Sequence, residues 1–139
     1  MTLADASFLI ALIDQSDPYH QTCRTCTTQV RAPLVTTWPC FTEAMHLLRR
    51  GGGWPAQAYL WSYVEAGAVT FHVNDSAEQL RMQSLMAQYR NLPMDLADAS
   101  LVAAAETREV AIICTLDQDF YVYRLPGNRT FSVLPNLLT

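Results

Sequence analysis

At 139 residues, half of them hydrophobic and 16% charged, the chain is long enough to bury roughly two-thirds of its unfolded surface in one core and too apolar for disorder. A formal net charge of −4 argues against tight non-specific nucleic-acid binding, which needs a positive face. All nine basic residues are arginine, which excludes chemistry that needs a lysine ammonium, such as a phosphate-loop lysine or a Schiff base, and leaves bidentate contact with phosphate or carboxylate open.

The opening Met1-Thr2-Leu3-Ala4 is a short apolar run that ends at Asp5, and Ala6 to Ile13 continues with helix formers, so a first strand feeds a first helix with Asp5 at the junction. Asp17-Pro18 predicts the cap and first turn of a second helix running to about Val30. Pro33 precedes a brief strand through Val35-Thr36-Thr37. Pro39 starts a helix with Phe41, Met45, Leu47 and Leu48 on its apolar face, ended by Gly51-Gly52-Gly53, and another helix follows from Pro55 to about Glu65.

Ala68 to Val73 reads as a buried strand, Asp75-Ser76 as the cap of a helix over Ala77 to Tyr89, and Asp95 as the cap of a helix reaching Thr107. Ala111 to Thr115 is the next strand, and Phe131 to Leu134 forms a final one after the turn Leu125-Pro126-Gly127-Asn128. Strands alternating with helices predict an α/β fold, three layers with a mainly parallel central sheet, as a single domain over 1–139. No basic segment leads an apolar stretch and no run of about 18 apolar residues occurs, so the expected compartment is the cytoplasm, with no membrane partner. Cys23, Cys26, Cys40 and Cys114 are expected as free thiols.

Four acids stand where a strand-like run ends or the following helix begins: Asp5, Glu43, Asp98 and Asp117. The crevice outside the carboxyl ends of a parallel sheet gathers chain segments that are far apart in sequence, so these acids can share a site, and their mutual repulsion makes a divalent cation the natural counter-charge. Asp95 and Asp98 are neighbours on a helix first turn, where the macrodipole favours both charges. Asp119 adds a second acid to the loop after the Ala111–Thr115 strand. Carboxylates suit Mg²⁺ or Mn²⁺ rather than zinc, and two such ions can position a water and stabilise both oxygens of a phosphodiester displacement.

The segments Asp5-Ala6-Ser7-Phe8-Leu9-Ile10-Ala11-Leu12, Thr42-Glu43-Ala44, Asp95-Leu96-Ala97-Asp98-Ala99-Ser100-Leu101-Val102-Ala103 and Thr115-Leu116-Asp117-Gln118-Asp119-Phe120 resemble, in order, the signatures of PIN-domain ribonucleases, and within them the VapC toxins of type II toxin–antitoxin systems. The resemblance implies a metal-dependent endoribonuclease in which Asp5, Glu43, Asp98 and Asp117 bind Mg²⁺ or Mn²⁺. It implies auxiliary roles for Asp95 and Asp119, and small hydroxyls near the acids at Ser7 and Thr115. It also implies an RNA substrate, a cognate antitoxin and a homodimer.

Arg49, Arg50, Arg124 and Arg129 are candidates for RNA phosphate contacts. Trp54, Tyr59, Trp61 and Tyr63 are candidates for an antitoxin groove or a dimer face, against a simpler role in the core. His20, Cys23 and Cys26 have helical spacing but lack a fourth zinc ligand, and His46 and His72 read as structural. Two other function classes compete: a catalytically silent PIN-like binding module, and a magnesium-binding phospho-acceptor domain, which needs a lysine that the chain lacks.

Overall fold

The computed structural model describes residues 1–138. The first apolar run is β1 (Thr2–Ala4), buried throughout, and Asp5 ends it by capping α1 (Ala6–Ile13), with its carboxylate accepting the Phe8 amide. The next helix, α2, spans His20–Thr27 and so begins two residues later than Asp17-Pro18 suggests. Asp17 spends its capping capacity on a turn instead: its carboxylate accepts the Tyr19 amide and its carbonyl the His20 amide. At the other end Thr27 and Thr28 turn their hydroxyls back onto the Arg24 and Thr25 carbonyls and close the helix early.

After β2 (Leu34–Thr37), α3 runs from Trp38 to Glu65 with Pro39 in its first turn. The triple glycine does not separate two helices by a linker. Only Gly53 leaves helical geometry, at φ 65°, ψ −158°, a conformation that side-chain-bearing residues avoid. It kinks the rod just before Pro55, whose missing amide would break the ladder there in any case.

The edge strand β3 (Val69–His72) is only half buried at Thr70 and Phe71, because no further strand flanks it. Asp75 and Glu78 form a reciprocal capping box on α4 (Ser76–Gln88), and Asp95 caps α5 (Leu96–Arg108). The chain then forms β4 (Ile112–Cys114), a one-turn 3₁₀ helix (Gln118–Tyr121), a hairpin of β5 (Arg124–Leu125) and β6 (Arg129–Thr130), and β7 (Ser132–Leu134). The hairpin extends the expected turn at Pro126-Gly127-Asn128, and Phe131 packs into the core instead of opening the last strand.

The five sheet strands lie in the order β3-β2-β1-β4-β7, all parallel, with Leu3 registered against Val35 on one side and Ile113 on the other. One apolar cluster joins α1, α2 and α3 on one face through Phe8, Leu9, Phe41 and Leu60. The other joins α4, α5 and the 3₁₀ segment through Leu85, Leu101, Phe120 and Tyr123. The chain builds outward from β1 to β2 and β3, then crosses to β4 on the opposite side. The switch point of this three-layer α/β/α fold is therefore the gap between the carboxyl ends of β1 and β4, where such sheets open a crevice.

Four cysteines are free and buried. His20 does not face Cys23 and Cys26 as a metal half-site, because its Nδ1 is hydrogen-bonded to the Ala11 carbonyl at 2.8 Å. His72 is structural in the way anticipated: Arg108 Nε donates to its Nδ1 at 2.7 Å, so Nε2–H donates to Glu78 at 2.6 Å, tying the end of β3 to α4 and α5. No helix among the described residues is long and apolar enough to cross a membrane.

Candidate active site

At the switch point, Asp5 is both the cap of α1 and the innermost acid. Its Oδ1 accepts the Ser7 hydroxyl at 2.7 Å and the Phe8 amide at 3.1 Å, and its Oδ2 accepts the Thr115 hydroxyl. The two hydroxyls are themselves anchored to the loop after β4: Leu116 N donates to Ser7 Oγ and Asp117 N to Thr115 Oγ1, both at 2.9 Å. Ser7 and Thr115 thus stitch the exit of β4 to the start of α1, and Asp5 cannot rotate without breaking three bonds.

Asp117 caps the 3₁₀ turn by accepting the Asp119 amide at 2.9 Å. Asp95 accepts the Asp98 amide at 2.8 Å in the same manner. Capping and facing the crevice turn out to be compatible, since a cap uses one carboxylate oxygen and leaves the other. Asp98 is 9% exposed, and its Oδ2 accepts the hydroxyl of the fully buried Tyr123 at 2.7 Å. Glu43 reaches the same place from the second turn of α3, with an otherwise exposed side chain.

A recess of about 70 Å³ is lined by Asp5, Ser7, Glu43, Asp95, Asp98 and Asp117, with Ala6, Cys40 and Ala97 as its apolar walls. An overlapping group joins Asp98 and Asp117 to Asp119, with one carboxylate oxygen from each within 4.8 Å of the others. The six acids singled out from the sequence therefore meet in one crevice, brought there by four different segments. The arginines do not. Arg124 Nη1 donates to the carbonyls of Tyr121, Val122 and Tyr123, Arg129 Nε donates to Pro126 O, and the β5–β6 register places the two on opposite faces of the hairpin. Arg49 and Arg50 are exposed on α3. Of the aromatic candidates, Trp54 and Tyr59 are exposed, while Trp61 and Tyr63 pack partly against the α1–α3 core.

Crowding has its electrostatic signature. Burial pushes the Asp5 carboxyl up to about 6 against the three bonds that favour its anion, and the charge of Asp117 adds to the rise. Burial raises Asp98 to about 7, the Tyr123 hydroxyl pulls it down, and Asp95, Asp117 and Asp5 push it up again. Glu43 and Asp119 are raised for the same reasons, desolvation first and then the neighbouring carboxylates. Tyr123 is raised by burial and by its bond to Asp98, so it stays a donor.

Sequence reasoning missed Tyr123. A tyrosine in the apolar run Phe120-Tyr121-Val122-Tyr123 carries no signal that its hydroxyl meets an acid 25 positions earlier.

The donor set fits a hard divalent cation: oxygen ligands only, several of them anionic, held at fixed angles by capping and hydroxyl bonds, with a repulsion that a cation would relieve. Fold and site together describe a parallel α/β protein with a crowded carboxylate cluster at its switch point. The family model described as "PIN domain" matches residues 2–125, and the chain belongs to that family.

It is similar to the ribonuclease VapC26 of Mycobacterium tuberculosis, with 25% identity over 134 residues that cover 96% of this chain and 99% of the relative. Among solved structures it resembles Mycobacterium tuberculosis VapC20, titled a Sarcin-Ricin loop cleaving toxin, at TM-score 0.81 and 17% identity, covering 88% of this chain and 94% of that one. A toxin–antitoxin complex from Klebsiella pneumoniae matches at TM-score 0.65 and 16% identity, covering 86% and 90%. These two likenesses are of fold.

Proposed function

We propose that this protein is a metal-dependent endoribonuclease that hydrolyses RNA phosphodiester bonds, and the toxin of a toxin–antitoxin pair. The observation that carries the reading is the meeting of Asp5, Glu43, Asp95, Asp98 and Asp117 in one recess of a PIN domain. The similar ribonuclease VapC26 supports the activity, and the Klebsiella complex supports a partner antitoxin.

Asp5, Glu43, Asp98 and Asp117 would hold Mg²⁺ or Mn²⁺, with Asp119 and Asp95 as auxiliary acids. Bound there, the metal supplies an activated water and charge stabilisation for the oxygens of an in-line displacement. The chain's own contribution is positional. Ser7, Phe8 and Thr115 fix the Asp5 carboxylate, and Tyr123 fixes Asp98, so that the remaining lone pairs converge without reorganisation when substrate arrives. Glu43 stands at the solvent rim of the same recess.

With six acids gathered in the crevice, seven remain elsewhere against nine arginines, so the rest of the surface is not hostile to RNA. Arg50 lies seven residues from Glu43 on the same side of α3, about 10 Å along the helix axis, and with Arg49 it is a phosphate contact of this reading. Homodimeric assembly and action in a reducing compartment such as the cytoplasm complete it.

The test is cleavage of total cellular RNA by purified protein with Mg²⁺, with Mn²⁺ and with chelator, beside an Asp5→Asn/Asp98→Asn variant. Discrete metal-dependent fragments absent from the variant are expected. Metal binding without cleavage in either protein would overturn the assignment in favour of a silent PIN-like binding module.

A further inference from the structure

Beside the acid recess lies a second, wider feature that the proposed chemistry does not use. A groove of about 630 Å³ runs along the start of α3 and α5, lined by Trp38, Thr42, His46 and Leu96, and it meets the acid recess at Glu43 and Asp95, which line both. Trp38 is 46% exposed and Leu96 53%. An indole left this far in solvent on the first residue of a helix calls for a reason.

Its mounting supplies one. The ring of Trp38 stacks on Phe71 with centroids 4.1 Å apart and planes 3° from parallel, and Phe41 meets both rings edge-on. Phe41 is in turn braced by Trp61 at 4.9 Å. Thr42 Oγ1 donates to the Trp38 carbonyl at 2.7 Å, and Trp38, Thr42 and His46 follow one another at helical spacing along a single stripe of α3. The indole is therefore held in one orientation before any ligand arrives, and the entropy of ordering it does not weigh on binding.

Resting on the endoribonuclease reading above, we propose that Trp38 is a stacking platform for the nucleobase flanking the scissile phosphodiester. Unpaired bases are read by stacking on aromatic faces, and every base has such a face. Trp38 and Glu43 line the same groove, and Glu43 and Asp95 line the acid recess as well. A base on the indole thus leaves its neighbouring phosphate over the acids.

The charge pattern favours a base over a backbone contact here. The groove has acids on its rim and no arginine among its lining residues, so it cannot neutralise phosphate, and the affinity it adds is not electrostatic. A second copy of the chain is a poorer occupant, because Trp38, Pro39 and Leu96 offer far less apolar surface than the roughly 800 Å² per partner of a stable interface.

The experiment uses a Trp54→Phe/Trp61→Phe protein, in which Trp38 is the remaining tryptophan, titrated in chelator with random-sequence RNA hexamers and with abasic sugar–phosphate hexamers. RNA hexamers are expected to quench the tryptophan fluorescence, whereas abasic hexamers leave it unchanged. In the otherwise native chain, Trp38→Ala weakens hexamer binding by about 5- to 100-fold without altering its salt slope, and Trp38→Phe retains most of the affinity.

Equal loss for RNA and abasic hexamers, or no quenching, overturns the proposal. So does a Trp38→Ala variant that binds RNA normally but loses self-association or antitoxin binding, since the groove would then be a protein interface. If Trp38 variants cleave cellular RNA as the native chain does, only the platform fails; absence of any metal-dependent cleavage by the native chain sinks the underlying reading as well.

Discussion

The crowding at Asp98 makes a quantitative prediction with an unusual sign: Asp98→Asn should stabilise the metal-free protein while abolishing cleavage. The carboxyl is pushed from 3.8 to about 7 in the folded state. A group whose folded pKa is raised contributes stability that is fully present below its unfolded pKa and lost as pH rises through the folded value, so the penalty grows from about pH 4 to about pH 7 and is flat above. Three pKa units at 1.36 kcal/mol each set its upper limit at about 4 kcal/mol. Asparagine keeps an oxygen for the Tyr123 hydroxyl and removes the charge, but its amide must also be desolvated, which leaves an expected gain of about 1–3 kcal/mol at pH 8. For a chain of this length that is a Tm increase of roughly 3–9 °C. The assay is thermal unfolding of both proteins in chelator at pH 4 and pH 8, then again with Mn²⁺. The variant should gain on the native chain only at the higher pH, and Mn²⁺ should raise the native Tm more than the variant's. An equal or lower Tm for Asp98→Asn at pH 8 would show that Asp98 is not held ionised against its neighbours, and the electrostatic account of the recess would fall.

Three further outcomes follow from the same geometry. Thr115→Val deletes the hydroxyl that donates to Asp5 and accepts the Asp117 amide, so it should cost about 1–3 kcal/mol in a urea melt and lower kcat, with Thr115→Ser restoring both; a valine variant with native kcat would remove Thr115 from the site. Tyr123→Phe takes away the one hydroxyl bond to Asp98, and titration of Tm or cleavage with Mn²⁺ should show metal affinity about 10-fold weaker or more; an unchanged titration midpoint contradicts this. Arg49→Ala/Arg50→Ala should reduce the slope of log affinity against log salt by about 2 for RNA binding while leaving Tm unchanged, and an unaltered slope would mean that phosphate is met elsewhere.

The architecture was legible because alternation of strand and helix is written in local periodicity, and each junction carried its own punctuation: Asp5, Pro39, Asp75 and Asp95 all sit at or beside helix starts. The acids were legible for the same reason, since a parallel sheet places every strand's carboxyl end on one edge and junction residues inherit that edge. What escaped was non-local. Whether Asp17 caps a helix or a turn depends on where His20 finds its carbonyl partner, Ala11, across the α1–α2 corner. The β5–β6 hairpin has two residues per strand, too few for any period to register. Tyr123 and Trp38 gain their significance from Asp98 and Phe71, 25 and 33 positions away, and a single sequence does not encode such pairings in spacing.

How the carboxylates are held in place follows from the same junctions. Three of its acids are N-caps: Asp5 for α1, Asp95 for α5 and Asp117 for the 3₁₀ turn, each accepting a backbone amide two or three residues on. Asp98 lies in the first turn of α5, at the positive end of its macrodipole. Each helix start offers unsatisfied N–H groups and a partial positive charge, worth about 0.3–1 kcal/mol to an anion there and up to about 2 when partly buried. Converging three such ends on one crevice offsets part of the mutual repulsion and fixes the carboxylates, but not enough to bring Asp5 and Asp98 back to ordinary acidity. That residual misfit is free energy available to a divalent ion on binding. It ties metal affinity to the caps: replacing Asp95 by Asn, which preserves the bond to the Asp98 amide, should weaken the site through charge alone, whereas Asp95→Ala should also loosen α5 and cost about 1 kcal/mol of stability. A difference of that size between the two variants in chelator, with the same loss of metal affinity in both, is the result this view requires.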